Sequence, residues 1–178
     1  MNPVGFPATS DFEEISVEDR LSIQDQVARY SWAFDSGNLE EYLGRFWPDG
    51  VLEHPKRDGT PGRFEGHEGI REFIRDFKGR ETQTWGHQHQ LNTMLMERKG
   101  PEEIQLNAYC VVLRHEFHRP YWPTGSSFRV GTWHALYTQR DLHWRISLLQ
   151  IRMWTDVSIG QTGVDAVDRP PHSPGTRQ

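Results

Sequence analysis

The sequence predicts an α+β protein in which helices come first and cover a curved, mostly antiparallel sheet. Two patterns lead there. Between Ser16 and Phe77, apolar residues recur at helical spacing in three stretches. From Trp85 onward the chain reads as long alternating segments parted by short polar turns. Helices segregated from a run of antiparallel strands define the class. A strongly twisted sheet curls, so three N-terminal helices on its concave face would leave a cone with one open mouth. The 178 residues suffice for one domain with a sizeable core.

Residues 1–14, with Pro3 and Pro7, are expected to form a loose arm, residues 15–158 the domain, and residues 159–178 a proline- and glycine-rich tail. Ser16 is a helix cap, with Glu18 and Asp19 set against the helix dipole. Ile23, Val27, Tyr30 and Phe34 make the inward stripe of that helix, and Asp35 lies close to it. Ser36-Gly37-Asn38 ends the helix and caps a second one, whose apolar face is Leu39, Tyr42, Leu43 and Phe46. Pro48-Asp49-Gly50 reads as a turn, and residues 51–54 and 63–65 as short strands around a second turn at Asp58-Gly59-Thr60-Pro61-Gly62. A third helix carries Ile70, Phe73, Ile74 and Phe77 on one side. Four strands then follow as a meander, at 85–97 and about 104–116, 127–139 and 144–155.

The bulk properties exclude several functions. A net charge of −5 provides no basic surplus for phosphates, so no nucleic-acid partner is expected. No apolar run approaches a membrane span, so no membrane partner is expected either. Residues 1–11 lack a basic region followed by an apolar core, so no secretory signal is expected. The single cysteine, Cys110, excludes an internal disulfide framework and suits the reducing cytoplasm, the expected location. With 7 Trp and 9 Phe, the core or a pocket is expected to have large aromatic walls.

The stretch that calls for chemistry is the first long strand. Alternation puts His87, His89, Leu91, Thr93 and Leu95 on one face. A buried neutral imidazole needs partners for both ring nitrogens, so another part of the chain must serve these rings. The segments that carry a resemblance are Ile23-Gln24-Asp25 through Tyr30 and Asp35, then Phe64-Glu65-Gly66 with Ile70 and Phe73. The segment from His89 to Asn92 and the run Asp141-Leu142-His143-Trp144-Arg145-Ile146 complete it. In this order, over residues 15–156, the chain resembles the SnoaL-like branch of the nuclear-transport-factor-2-like superfamily of cone-shaped α+β proteins. Its layout is most similar to the scytalone dehydratase, bile-acid dehydratase and hexachlorocyclohexane dehydrochlorinase members.

That resemblance implies that Asp35 pairs with His89, which takes a proton from the substrate. It makes Tyr30 a polar pocket residue and places His54 near a water-holding position. It also implies a metal-free reaction, so no cofactor is expected. One departure concerns the last strand: where some members carry an arginine, Leu149 stands here and Arg152 has the opposite parity. Arg114 and Arg129 are the substitutes.

Chemically, a carboxylate behind an imidazole fixes its tautomer and stabilises the imidazolium. Tyr30, His54 and His87 are candidates to hold a developing oxyanion or protonate a leaving hydroxyl. The bland alternatives are Asp35 as a helix-end cap, His89 as a satisfied core histidine and Tyr30 as packing. His87 and His89 with Asp35 or His54 would also make a two-histidine, one-carboxylate metal set, but the resemblance favours chemistry without metal. His115 and His118 are read as a solvated rim. Cross-strand pairing then nominates the walls: Cys110, Val112 and Arg114, then Arg129, Gly131 and Trp133, then Leu149, Ile151 and Met153. Gly131 is expected to make room beside Trp133, and Cys110 to be an inert small hydrophobe.

The expected function is cofactor-independent elimination, a dehydratase-type lyase acting on a small hydrophobic aromatic or polycyclic substrate. Isomerisation or cyclisation of a ketone, and carbon–carbon cleavage releasing formaldehyde from an aryl diol, are the enzymatic alternatives. A ligand-binding or dioxygenase small-subunit-like module is the non-catalytic one. A homo-oligomer is expected, trimer before dimer.

Overall fold

The structure, a computed structural model, describes residues 14–56, 60–78, 85–119 and 122–153, with the side chains of 78, 85–87, 114–119 and 122–128 outside the description. The expected tail, and the arm apart from Glu14, therefore lie outside the described residues. Among the described residues, three helices precede or interleave with six strands. They are α1 (Val17–Ser36), α2 (Leu39–Leu43), β1 (Phe46–Glu53), β2 (Arg63–Glu65) and α3 (Gly66–Lys78). The long strands β3 (Trp85–Gly100), β4 (Glu103–Arg119), β5 (Trp122–Arg140) and β6 (His143–Met153) follow. The strands form one curved open sheet in the order β2-β1-β6-β5-β4-β3. All pairs are antiparallel except β1 with β6. This is the α+β architecture expected. No helix among the described residues is long and apolar enough to cross a membrane.

α1 begins where Ser16 Oγ accepts the N–H of Asp19 at 3.0 Å. It ends at Gly37, whose φ of +73° lets its N–H turn back to the carbonyls of Ala33 and Phe34. Its buried face is Ile23, Val27, Tyr30, Ala33 and Phe34. Asp19 also ties the helix start to the sheet, accepting from Trp144 Nε1 at 2.7 Å and from Arg98 at 2.9 Å. Asn38 caps α2 through the N–H of Glu41.

Three local expectations are corrected. α2 stops before Phe46, and Pro48-Asp49-Gly50 is not a free turn but part of β1. The cause is pairing with a strand almost 100 residues away: Phe46 aligns with Ile146, and the Ile146 N–H reaches the Arg45 carbonyl at 2.9 Å. The register shifts between Phe46 and Val51, and a proline is tolerated at such an irregularity because its missing N–H is not required. Gly50 is needed there, since a Cβ would lie 2.9 Å from the carbonyls of Trp47 and Ile146.

The third correction concerns β3. The expected alternation holds through Asn92 and then breaks. Thr93 has φ +50°, and the register with β4 jumps from Asn92↔Tyr109 to Leu95↔Asn107, one extra residue on β3. That bulge reverses the parity. Met96 is buried, whereas Thr93 and Leu95, expected beside His89, are exposed.

The concave face holds the core: Ile104, Leu106, Ala108 and Cys110 from β4, Trp133, Ala135 and Tyr137 from β5, and Ile146 and Leu149 from β6, under α1, α2 and α3. Gly131 has a different role from the one expected. A Cβ there would strike the Arg152 carbonyl, so the glycine lets the β6 backbone approach closely instead of enlarging the space beside Trp133.

Candidate active site

Asp35 sits in the last turn of α1, and that helix packs on β3. Its carboxylate grips one residue twice. Oδ2 accepts the backbone N–H of His89 at 2.8 Å, and Oδ1 lies 2.5 Å from His89 Nδ1. An ionised carboxylate can only accept, so Nδ1 carries the proton and Nε2 holds the lone pair of the neutral ring. The two side chains are 17% and 14% exposed, enough shelter to strengthen the pair and enough access for a ligand.

Aromatic rings continue from His89. Phe34 meets the imidazole edge-on at 4.7 Å and contacts Tyr42 at 5.5 Å and Phe77 at 5.8 Å. Phe77 contacts Phe73 at 5.6 Å, and His54 stacks on Phe73 at 4.9 Å. His54 Nδ1 is 2.6 Å from the Pro55 carbonyl and donates to it. His54 thus belongs to the aromatic wall, linked to His89 through Phe77 and Phe34.

Tyr30 is buried and shares a 3.1 Å hydrogen bond with the Tyr42 hydroxyl, with Trp133 against its ring at 5.4 Å. Burial pushes its hydroxyl well above the ordinary phenol range. Tyr30 therefore stays neutral, and its hydroxyl accepts the Tyr42 proton. Cys110 is buried, and burial, with the Asp35 charge, pushes its thiol up to about 11, which leaves it un-ionised and a poor nucleophile.

The remaining wall residues follow the expected register. Val112 stands opposite His89, Cys110 opposite Leu91, Gly131 opposite Cys110, and Ile151 opposite Trp133. Val112 and Ile151 are half-buried against the core, Met153 is half-buried, Leu149 and Trp133 are fully inside, and Arg129 is exposed. The backbones of His87 and Arg114 pair across β3 and β4. Their side chains, with those of His115 and His118, lie outside the described residues. Of the metal set considered above, Asp35 and His89 meet. Among the described residues no group of three histidine, cysteine, aspartate or glutamate side chains gathers.

Sequence reasoning missed two polar groups. Tyr42 reads as apolar packing on a helix, and Tyr137 was not singled out, although it shares the inward parity of Trp133. That parity was the available signal.

The family model of the SnoaL-like domain matches residues 16–150. The chain belongs to the SnoaL-like domain family. Solved structures agree on the fold. ActVI-ORFA from Streptomyces coelicolor aligns with TM-score 0.64 at 14% identity, covering 75% of this chain and 96% of that one. The beta subunit of the benzoate 1,2-dioxygenase from Burkholderia mallei aligns with TM-score 0.63 at 14% identity, covering 81% and 94%. A Novosphingobium aromaticivorans protein named for scytalone dehydratase aligns with TM-score 0.63 at 12% identity, covering 77% and 85%. No curated relative matches the sequence. The SnoaL-like family includes dehydratases, cyclases and dioxygenase subunits, so its members are often enzymes and sometimes not.

Proposed function

We propose that the protein is a cofactor-independent lyase that eliminates water from a small hydrophobic aromatic or polycyclic substrate. The observation that carries this reading is the double grip of Asp35 on His89, which fixes both the ring's tautomer and its orientation. His89 Nε2 would take a proton from a carbon next to an activating carbonyl. The C–H electrons pass into an enolate, Asp35 stabilises the imidazolium, and the imidazolium returns its proton to the departing hydroxyl as the double bond forms. General-base help of this kind contributes about 10²–10⁴-fold. The rings of Phe34, Phe73 and Phe77 suit a flat apolar substrate.

A second reading, isomerisation or cyclisation of a ketone, has its own support. Tyr30 is kept neutral by burial and is better suited to hold an enolate than to surrender a proton. Both readings share the base and differ in whether a hydroxyl leaves. The proposal extends to a homo-oligomer, trimer before dimer, packed through the outer sheet face, where Leu95 and Tyr109 are exposed; light scattering tests it.

The deciding experiment incubates the protein with hydroxylated aromatic and steroid-like ketones and follows loss of water by mass spectrometry, with His89→Ala in parallel. Turnover that disappears in His89→Ala supports the reading. Unchanged turnover in that variant ends it, and binding without turnover by the unsubstituted protein favours the non-catalytic module.

A further inference from the structure

Tyr30, Tyr42, Trp133 and Tyr137 meet at the buried end of the concave face, 0–2% exposed. Ring contacts join them in sequence: Tyr42 to Tyr30 at 4.9 Å, Tyr30 to Trp133 at 5.4 Å and Trp133 to Tyr137 at 6.3 Å. Two of these rings carry buried polar atoms: the Trp133 indole N–H and the Tyr137 hydroxyl, on rings that touch each other and, through Trp133, Tyr30.

The donors in this cluster exceed the acceptors it uses. Tyr30 and Tyr42 share one bond, which occupies one of their two hydroxyl protons. Among the described residues, Trp133 Nε1 and the Tyr137 hydroxyl have no partner at all. A buried donor without an acceptor works against folding, and phenylalanine in place of Tyr137 would fill nearly the same space without that cost. The missing complement is an oxygen that only accepts. A carboxylate fits poorly: among the described residues the cation whose charge reaches Tyr137, Arg45, is already engaged by Glu41 and Gln26. A ketone oxygen fits.

We infer that Trp133, Tyr137 and the Tyr30–Tyr42 pair form an oxygen-binding point that selects ligands bearing a ketone carbonyl, with the indole N–H of Trp133 as a principal donor. The site lies along the wall already described. Phe34 touches His89 on one side and Tyr42 on the other, at 4.7 and 5.5 Å, so a flat ligand lying on Phe34 reaches both. As an account of the substrate, the inference rests on the proposed role of His89; as an account of binding, it stands apart from it.

The test uses the full chain and paired probes, acetophenone with ethylbenzene and α-tetralone with tetralin, followed by calorimetry and by the indole N–H cross-peak of Trp133 in NMR. Trp133→Phe assigns the cross-peak; should that variant not fold, triple-resonance correlation assigns it. Each ketone is expected to bind about tenfold more tightly than its hydrocarbon, the usual scale of a desolvated hydrogen bond, and to move the Trp133 cross-peak downfield. Tyr137→Phe, which keeps the ring, should shrink the preference several-fold. The preference should survive in His89→Ala, so a dead but ketone-selective variant separates this site from the proposed chemistry. Equal binding of ketone and hydrocarbon, or no binding of either, overturns the inference. A Trp133 cross-peak unmoved by saturating ketone also overturns it, because the donor would then serve a water or nothing.

Discussion

Asp35 binds His89 through both carboxylate oxygens, one on the ring and one on the backbone N–H. A single ring bond would set the tautomer and leave the imidazole free to swing. The backbone bond anchors the carboxylate to the strand itself, so helix end, strand and base move as one unit. This is pre-organisation by a group that need not touch substrate.

Asp35→Asn should separate orientation from packing. The amide keeps the shape but presents an N–H₂ to one of two donors, so one contact turns repulsive. Any His89-dependent turnover is expected to fall by about 10²–10⁴-fold. Stability should fall by about 1–3 kcal/mol, because a charge-assisted bond is lost and a donor is stranded. Steady-state kinetics and urea unfolding measure the two effects. Intact turnover would remove Asp35 from the mechanism.

Whether each feature was readable in the sequence follows from how local its cause is. The α1 stripe of Ile23, Val27, Tyr30 and Phe34 follows from a period of 3.6, and Ser16 and Gly37 mark its ends by their own chemistry. The inward parity of the β4 and β5 wall positions followed from alternation, whereas β6 changes parity between Ile146 and Leu149, where its register with β5 shifts. By contrast, Pro48-Asp49-Gly50 looks like a turn until Ile146 arrives to pair with Phe46, a contact no local window contains. The β3 bulge was hidden because Thr93 is an unusual residue at positive φ. Asp35 and His89 were matched through the order of motifs in a resemblance; periodicity alone put His87 and His89 on equal terms. The Tyr42 hydroxyl was illegible because its partner, Tyr30, lies on another helix.

Thr93 offers a test of stored strain. A β-branched residue at φ +50° is disfavoured, while asparagine and glycine adopt that region readily. Thr93→Asn should raise stability by about 0.5–1 kcal/mol in urea unfolding. Deleting Thr93 should be tolerated, because removing the extra residue restores regular alternation and leaves Met96 inward, opposite Leu106. A deletion variant that fails to fold would refute the assignment of the bulge to this residue.

Gly131 is held small by a backbone and not by a ligand. A Cβ there meets the Arg152 carbonyl, so Gly131→Ala must push β6 away from β5. The expected loss is about 1–3 kcal/mol, the usual cost of overpacking, read as a lower urea midpoint. If the variant instead kept full stability and lost ligand affinity, the glycine would belong to the pocket after all.

His134 makes stability depend on pH. It lies on the opposite parity of β5 from Trp133, with Nδ1 at 2.7 Å from Asn107 Oδ1 and Nε2 at 2.9 Å from Thr132 Oγ1. Burial first, and the charge of Arg152 second, hold its pKa below the ordinary 6.5. The folded protein therefore binds this proton less readily than the unfolded chain. Stability from a neutral His134 is fully present above pH 6.5 and declines as the pH falls through that value toward the lower folded pKa. Urea unfolding at a series of pH values should show a downward slope on the acid side, and His134→Gln, which keeps hydrogen-bonding groups but cannot titrate, should flatten it. An equal slope in the variant would assign the effect to other groups.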